Sequence, residues 1–372
     1  MPNNKKICYI LSNIDKALAF EWIANGLKDS FQLSFVLIGR PNSNLAGFLT
    51  QQSVPYIEVP YLGKKDLPKA LIQVYRHLRM VKPDVVHTHL FEANIIGLTA
   101  AWLAGIKQRI YTRHHSDYHF IYAPLGIKYD RWCNYLATKI VAISKNVRNI
   151  LIDREQVSPD KLVSIHHGFD LPSFEYPDFQ KVSALKNKYN PKGKGPVIGV
   201  IGRQTHLKGI QYIIPAFTEL LKDYPNALII LANAQGDFKS EIDRLLTELI
   251  PPENRCSILF ENDLTSLYQL FDVYVHVPVS ETVEAFGQTY IEALAAGIPS
   301  VFTLSGVAPE FIMDEKNALT VPFCNADSIL IAINRLLTDT KLRQQLTTQG
   351  KLDVKKMFGL ETMMEELTKL YQ

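Results

Sequence analysis

Residues 198–209 read IGVIGRQTHLKG. A short apolar run of β-branched residues halts at Gly202, charge follows at once, and a second glycine, Gly209, precedes a new apolar stretch. A strand, a sharp turn and a helix start make one βα unit, the piece from which parallel sheets are wound. Gly202 permits close approach of backbone to a ligand, and Arg203 and Lys208 set two cations at the mouth of the turn. That pairing suits a diphosphate; solvated charge on an ordinary βα turn is the competing reading. The run is not a Gly-x-Gly-x-x-Gly fingerprint, and no Gly-x-x-x-x-Gly-Lys-Ser/Thr loop occurs in the chain. Hydride transfer and P-loop chemistry therefore lose support.

The same unit recurs from end to end. Strand patterns fall at 6–11, 33–39, 84–89, 109–114, 139–144 and 162–167, and again at 197–202, 227–233, 256–260, 273–278, 300–304 and 319–323. Helical patterns such as 67–81 and 93–104 separate most of them. The expected fold is α/β, with two doubly wound Rossmann-like domains facing across a cleft. Residues 171–195, rich in Pro, Lys and Gly, read as the linker. The domains are then 1–180 and 190–354, with a C-terminal helix at about 355–372 packing back onto the first.

Composition agrees with a soluble globular protein: 372 residues, 47% hydrophobic, 21% charged, net charge +3. No apolar run reaches the roughly 18 residues of a membrane span. Cys8, Cys133, Cys256 and Cys324 are scattered, without metal or disulfide spacing. The N-terminus leads into a strand with no signal-peptide cleavage pattern, so a cytoplasmic location is expected. Residues 1–180 hold 21 Lys+Arg against 15 Asp+Glu, a balance of +6, and eight of the ten His. A basic half suits an anionic partner or surface, or simply solubility.

Residues 281–300, ETVEAFGQTYIEALAAGIPS, carry the second signal. Gly297 and Pro299 close a helix expected over about 286–296. The helix start at Phe286, Gly287, Gln288 and Thr289 favours an anion through its N–H groups and dipole. Glu284 and Glu292 cannot serve that anion, but a carboxylate accepts two hydrogen bonds from a vicinal diol. Phosphates in the middle and diols on either side describe a nucleotide-diphosphate sugar. Ligands of doubly wound sheets bind beyond the carboxyl ends of strands. His87, His89, His114, His115, His166, His167, Arg203 and Glu284 all fall at such ends.

Taken together, Ser280…Glu284-Ala-Phe-Gly-Gln-Thr-Tyr-Ile-Glu292…Gly297-Ile-Pro299, Gly306-Val-Ala-Pro-Glu310 and Gly202-Arg203…Lys208-Gly209 resemble the donor signature of glycosyltransferase family 4. Asp84-Val-Val-His-Thr-His89, Thr112-Arg-His114, Ala142-Ile-Ser144 and His167-Gly-Phe-Asp170 resemble its N-domain landmarks, in order. The resemblance implies a retaining, metal-independent hexosyltransferase of GT-B architecture, of the kind used in polysaccharide biosynthesis. It implies that Arg203 and Lys208 clamp the donor diphosphate and that Glu292 holds the ribose. Glu284, with the backbone of Phe286 and Gly287, would hold the transferred sugar, and His114 would stand beside the anomeric carbon. The leaving diphosphate would take the acceptor hydroxyl's proton. No cofactor or metal is expected, and the chain has no Asp-x-Asp pair. Expected partners are the nucleotide-sugar, a glycan or lipid-linked acceptor and an anionic membrane surface, but no nucleic acid. Two features depart from the family pattern. The first βα loop, Leu11-Ser-Asn-Ile-Asp-Lys16-Ala, lacks glycine, and His167 stands where the family carries Asn. A GT-B epimerase or phosphorylase, or a silent nucleotide-sugar-binding protein, are the alternatives.

Several residues stay outside this scheme. His115 and His119 are four apart, but no nearby Cys or paired carboxylate in the sequence completes a metal site. Tyr118, Phe120, Tyr122, Tyr129, Trp132 and Tyr135 are expected to be mostly helix core, with an acceptor sugar or a membrane interface as the other uses. Lys64, Lys65, Lys69, Arg76, Arg79 and Lys82 decorate an amphipathic helix that suits anionic lipid or plain solvation.

Overall fold

The computed structural model describes residues 5–15 and 18–372. Met1–Asn4 and Lys16–Ala17, the latter within the glycine-free first loop, lie outside the described residues. Two compact units emerge, Met1–Phe169 with Leu360–Gln372, and Asp170–Gly359.

The first unit is a seven-stranded sheet of β1 (Lys6–Ser12), β2 (Gln32–Gly39), β3 (Tyr56–Pro60), β4 (Val85–His89), β5 (Gln108–Arg113), β6 (Lys139–Ala142) and β7 (Leu162–Ser164). Its order is β3-β2-β1-β4-β5-β6-β7, and every pairing is parallel. The second holds β8 (Val197–Ile201), β9 (Leu228–Ala232), β10 (Arg255–Ile258), β11 (Val273–His276), β12 (Ser300–Phe302) and β13 (Leu319–Thr320), in the order β10-β9-β8-β11-β12-β13, again parallel throughout.

Alternation along the strands decides which face each side chain serves. On β1, Ile7, Tyr9 and Leu11 enter one core, while Cys8 and Ile10 enter the other. Both faces are covered, so the central strands read as unbroken apolar runs. In each sheet the order reverses once, between β1 and β4 and between β8 and β11. Such switch points open a crevice beyond the carboxyl ends of the strands. β4 ends there in His89, β8 leads there into Gly202 and Arg203, and β11 ends in His276.

Three sequence expectations change. Strand β3 was not anticipated: it is an edge strand, mostly half-buried and closed by Pro60, so it lacks both the apolar run and a clean alternation. The stretch expected as linker contains helices Leu171–Glu175 and Phe179–Tyr189. Pro172 lies in the first turn of one, where its missing N–H costs nothing, and the Asp178 side chain caps the other by accepting from Gln180 N. Finally, Tyr118, Tyr122, Tyr129, Trp132 and Tyr135 are exposed rather than core, and Phe120 is half-buried under Arg154.

The chain's last helices are Thr340–Phe358 and Leu360–Tyr371. Leu360–Tyr371 packs into the Tyr9 core of the first unit through Met363, Leu367 and Tyr371. Tyr371 is fully buried, hydrogen-bonded to the Tyr9 hydroxyl and 2.6 Å from His87 Nδ1. Among the described residues, no helix is long and apolar enough to cross a membrane.

Candidate functional site

In the second unit the loop after β8 is shaped by glycine. Gly209 has φ +71°, and a Cβ there would stand 1.9 Å from the Val277 carbonyl oxygen, so the loop passes directly under the end of β11. This close passage brings Lys208 to Glu284. Lys208 Nζ donates to Glu284 Oε1 at 2.5 Å. His276 Nε2 lies 3.3 Å from the same oxygen. Glu284 N donates to Ser305 Oγ, and the turn at Gly306 (φ +63°) packs against the Glu284 Cβ and the Phe286 carbonyl, leaving no room for a side chain.

Burial of Glu284 pushes its pKa upward, but the adjacent Lys208 and His276 outweigh that and hold the carboxyl well below the usual range. Burial lowers the His276 pKa, with Glu284 pulling the other way, so the imidazole is neutral at physiological pH. The result is a lysine, a carboxylate and a neutral imidazole in one buried cluster.

Glu292 stands apart from this cluster. It lies inside helix Gln288–Ala295, is 8% exposed, and accepts a hydrogen bond from Tyr268 Oη at 2.9 Å. Burial raises its pKa to about 7, against the pull of that hydrogen bond. The helix begins at Gly287, whose φ of +91° suits glycine, and no side chain caps this end. The helix is shorter than the 286–296 expectation: Phe286 is the last loop residue, anchored by its carbonyl accepting from Val307 N. Gln288 is exposed and Thr289 half-buried in the first turn; Gly202 is half-buried and Arg203 exposed.

His114 follows β5 in the first unit. Its Nε2 lies 3.0 Å from His89 Nδ1, and its ring stacks on His167 at 5.4 Å between centroids. His87 spans from Thr112 Oγ1 (2.8 Å) to the Tyr371 hydroxyl. Burial depresses the pKa of all four rings, to about 3 for His87 and about 4 for His167, so the cluster is neutral and works through hydrogen bonds. The imidazole at position 167, where the family pattern has Asn, is thus the stacking partner of His114.

Next to it, Arg113 is buried between Glu155 and Asp130, 3.1 Å from Asp130 Oδ1. Asp130, from the next helix, brings a carboxylate to His115 and His119: the three offer ligand atoms within 4.8 Å of one another. His119 Nδ1 is 2.5 Å from Asp130 Oδ2, and His115 Nε2 is 3.4 Å from Oδ1. The Arg113 cation already on Asp130 opposes a metal ion there.

Nine of the ten anticipated site residues thus lie in the second unit and His114 in the first. Lys208 and Glu284 touch; Glu292 has its own partner. The partners His276, Tyr268, His89 and Tyr371 were not singled out for these roles. His89 was legible only as a residue at a strand end, while His276 fell inside the strand expected at 273–278 and ends it only in the structure.

Known proteins place these features. The second unit matches the model of "Glycosyl transferases group 1" over residues 182–353, and the first that of "Glycosyltransferase Family 4" over residues 29–172. An uncharacterized glycosyltransferase of Methanocaldococcus jannaschii is 25% identical over 300 residues, 78% of this chain and 75% of that one. An Escherichia coli UDP-Gal:α-D-GlcNAc-diphosphoundecaprenol α-1,3-galactosyltransferase is 22% identical over 352 residues, covering 91% and 89%. Anabaena HepE, solved with UDP and glucose, superposes with a TM-score of 0.84 at 18% identity, over 98% of this chain and 99% of that one. Two parallel-sheet Rossmann-like domains of this kind define the GT-B class of glycosyltransferases. Within that class, the chain belongs to the glycosyltransferases of the family 4 type.

Proposed function

We propose that the protein is a retaining, metal-independent hexosyltransferase. It would move a sugar from a uridine-diphosphate donor to a lipid-linked glycan acceptor. The observation that carries this reading is the pair of carboxylates flanking the start of helix Gln288–Ala295, Glu284 beside a lysine and Glu292 beside a tyrosine. In the proposed complex the helix start and the cations Lys208 and Arg203 receive the diphosphate. Glu292 accepts from the ribose hydroxyls, and Glu284 accepts from the transferred sugar.

The reaction then breaks the bond from the anomeric carbon to the diphosphate oxygen and forms one from that carbon to the acceptor oxygen. The acceptor's proton passes to the departing diphosphate, on the same face of the sugar. Charge growing on the leaving group is met by fixed cations and N–H dipoles, a role that preorganised groups fill well. Support for the donor class comes from the UDP and glucose in the Anabaena structure, and for the acceptor from the diphosphoundecaprenol substrate of the Escherichia coli relative.

The test is turnover of UDP-hexoses in excess EDTA, with the anomeric configuration of the product read by proton NMR. Retained configuration and EDTA-resistant activity are expected. Inversion, or activity that EDTA removes and Mg²⁺ or Mn²⁺ restores, would overturn the respective half of the proposal.

A further inference from the structure

Strand β4 ends in His87-Thr88-His89, two imidazoles two residues apart and therefore on one face of the first unit's sheet. His89 is 4% exposed and enclosed by rings. Tyr9 stacks on it at 5.7 Å between centroids, Phe20 meets it edge-on at 4.9 Å, and His87 lies 4.3 Å away. Its Nδ1 is 3.0 Å from His114 Nε2. Its Nε2 is buried and has no hydrogen-bond partner among the described residues. His114 is less enclosed. Its ring is half-buried, and stacking on His167 fixes its plane.

These facts decide where the protons sit. Burial keeps both imidazoles neutral, so His89 and His114 carry one N–H each on four nitrogens. One of those hydrogens lies between His89 Nδ1 and His114 Nε2. If His114 donated it, the proton of His89 would be on Nε2, an N–H shut among rings with no acceptor. Buried donors left in that state are rare, because the bond they gave to water is not replaced. If His89 donates it, the buried Nε2 is a bare nitrogen. The second proton then falls on Nδ1 of the half-buried ring, where water or a ligand can accept it. The tautomer of a histidine is set in this way by the bond its other nitrogen makes.

We infer that His89 is a positioning residue: its Nδ1–H donates to His114 Nε2 and holds the proton of His114 on Nδ1. In this state both nitrogens of His114 are committed. The ring offers a hydrogen-bond donor at Nδ1 and has no lone pair with which to act as a general base. That agrees with a transfer in which the departing diphosphate takes the acceptor's proton. The inference deepens the proposed function and rests on it for the part His114 takes in the reaction.

The experiment is long-range proton–nitrogen NMR of the full chain labelled with [15N]histidine, which separates bare from protonated nitrogens of a neutral imidazole. His114→Gln and His89→Asn identify the two spin systems by their loss. In wild type, His114 should show a protonated Nδ1 and a bare Nε2, and His89 a protonated Nδ1. A proton on Nε2 of either ring overturns the inference, and this reading needs no variant to fold. His89→Phe removes the donor and should let the His114 proton move to Nε2, whereas His89→Asn keeps an N–H at the position of Nδ1 and should hold it on Nδ1. With a UDP-hexose that the protein turns over, His89→Phe should lower kcat about tenfold or more at nearly unchanged KM for the donor, and His89→Asn should recover part of it. An unmoved proton in His89→Phe, or a moved proton with kcat within about twofold of wild type, overturns the positioning role. The spectrum is read without turnover. The expected tautomers in a protein that hydrolyses and transfers no UDP-hexose would support the inference while the transferase proposal fails.

Discussion

Lys208 Nζ and Glu284 Oε1 are 2.5 Å apart, so the cation proposed for the diphosphate is bound to the carboxylate proposed for the sugar. Donor binding must loosen this pair, and each member is therefore a competitor for the other's ligand.

The first prediction follows from that competition. Glu284→Gln releases Lys208, so bare UDP should bind as tightly as to wild type or more tightly, while kcat falls by about 10²–10³. Lys208→Ala should weaken UDP and lower kcat/KM together. Calorimetry with UDP and steady-state kinetics check both. Weaker UDP binding by Glu284→Gln would reverse the assignment.

The second concerns pH. Burial raises the Glu292 pKa to about 7, above its ordinary value of 4.5. The folded state therefore holds the proton that the unfolded state gives up between pH 4.5 and 7. The associated stability is fully present below pH 4.5 and is lost as pH rises through 7. Glu292→Gln removes the dependence and should raise Tm relative to wild type more at pH 8 than at pH 5. Because ribose hydroxyls donate to the ionised form, UDP binding near pH 7 should release protons. Calorimetry in buffers of different ionisation enthalpy measures that release, and Glu292→Gln should abolish it.

The third tests His276 as a positioning residue. It adjoins the Glu284 oxygen that Lys208 holds and is 3% exposed. His276→Phe should lower kcat about tenfold or more while leaving bare-UDP affinity within about twofold, since the ring is assigned to the sugar end of the site. His276→Gln, which keeps a polar group, should recover part of kcat. Equal loss in both variants, together with weakened UDP, would mark a purely structural role.

The fourth is a stability prediction. Gly209→Ala places a Cβ on the Val277 carbonyl in a left-handed backbone conformation. It should cost on the order of 3 kcal/mol or more in urea unfolding of the second unit, reported by loss of UDP binding at lower denaturant.

Much of the architecture was readable in advance because β-branched apolar runs such as Ile198–Ile201 and Val273–Val275 are what buried parallel strands require. β3 escaped because an edge strand needs no such run. The helices at 171–175 and 179–189 escaped because proline near a helix start looks the same in sequence as proline in a linker. At the site, Arg203, Lys208, Glu284 and Glu292 stood out by spacing. Their partners did not, since Tyr268 meets Glu292 across 24 positions and His276 meets Glu284 only because β11 ends beside the Gly209 turn. The exposed rings of helix Gly126–Leu136 were misread because a residue type alone does not say which side of a helix meets solvent. The neighbouring helices decide that.

Helix Leu360–Tyr371 makes folding order a matter of synthesis. The first unit's core holds Tyr371 against Tyr9 and His87, and Lys5 Nζ donates to the carbonyls of Tyr371 and Gln372. On the ribosome β1 emerges before the second unit, yet the groups that close its pocket are translated after the whole of that unit. Domains ordinarily fold in the order they are made. In this chain the earlier unit waits for the later one, so a nascent chain halted anywhere before Leu360 presents a first unit with an open apolar face, a natural client for chaperones.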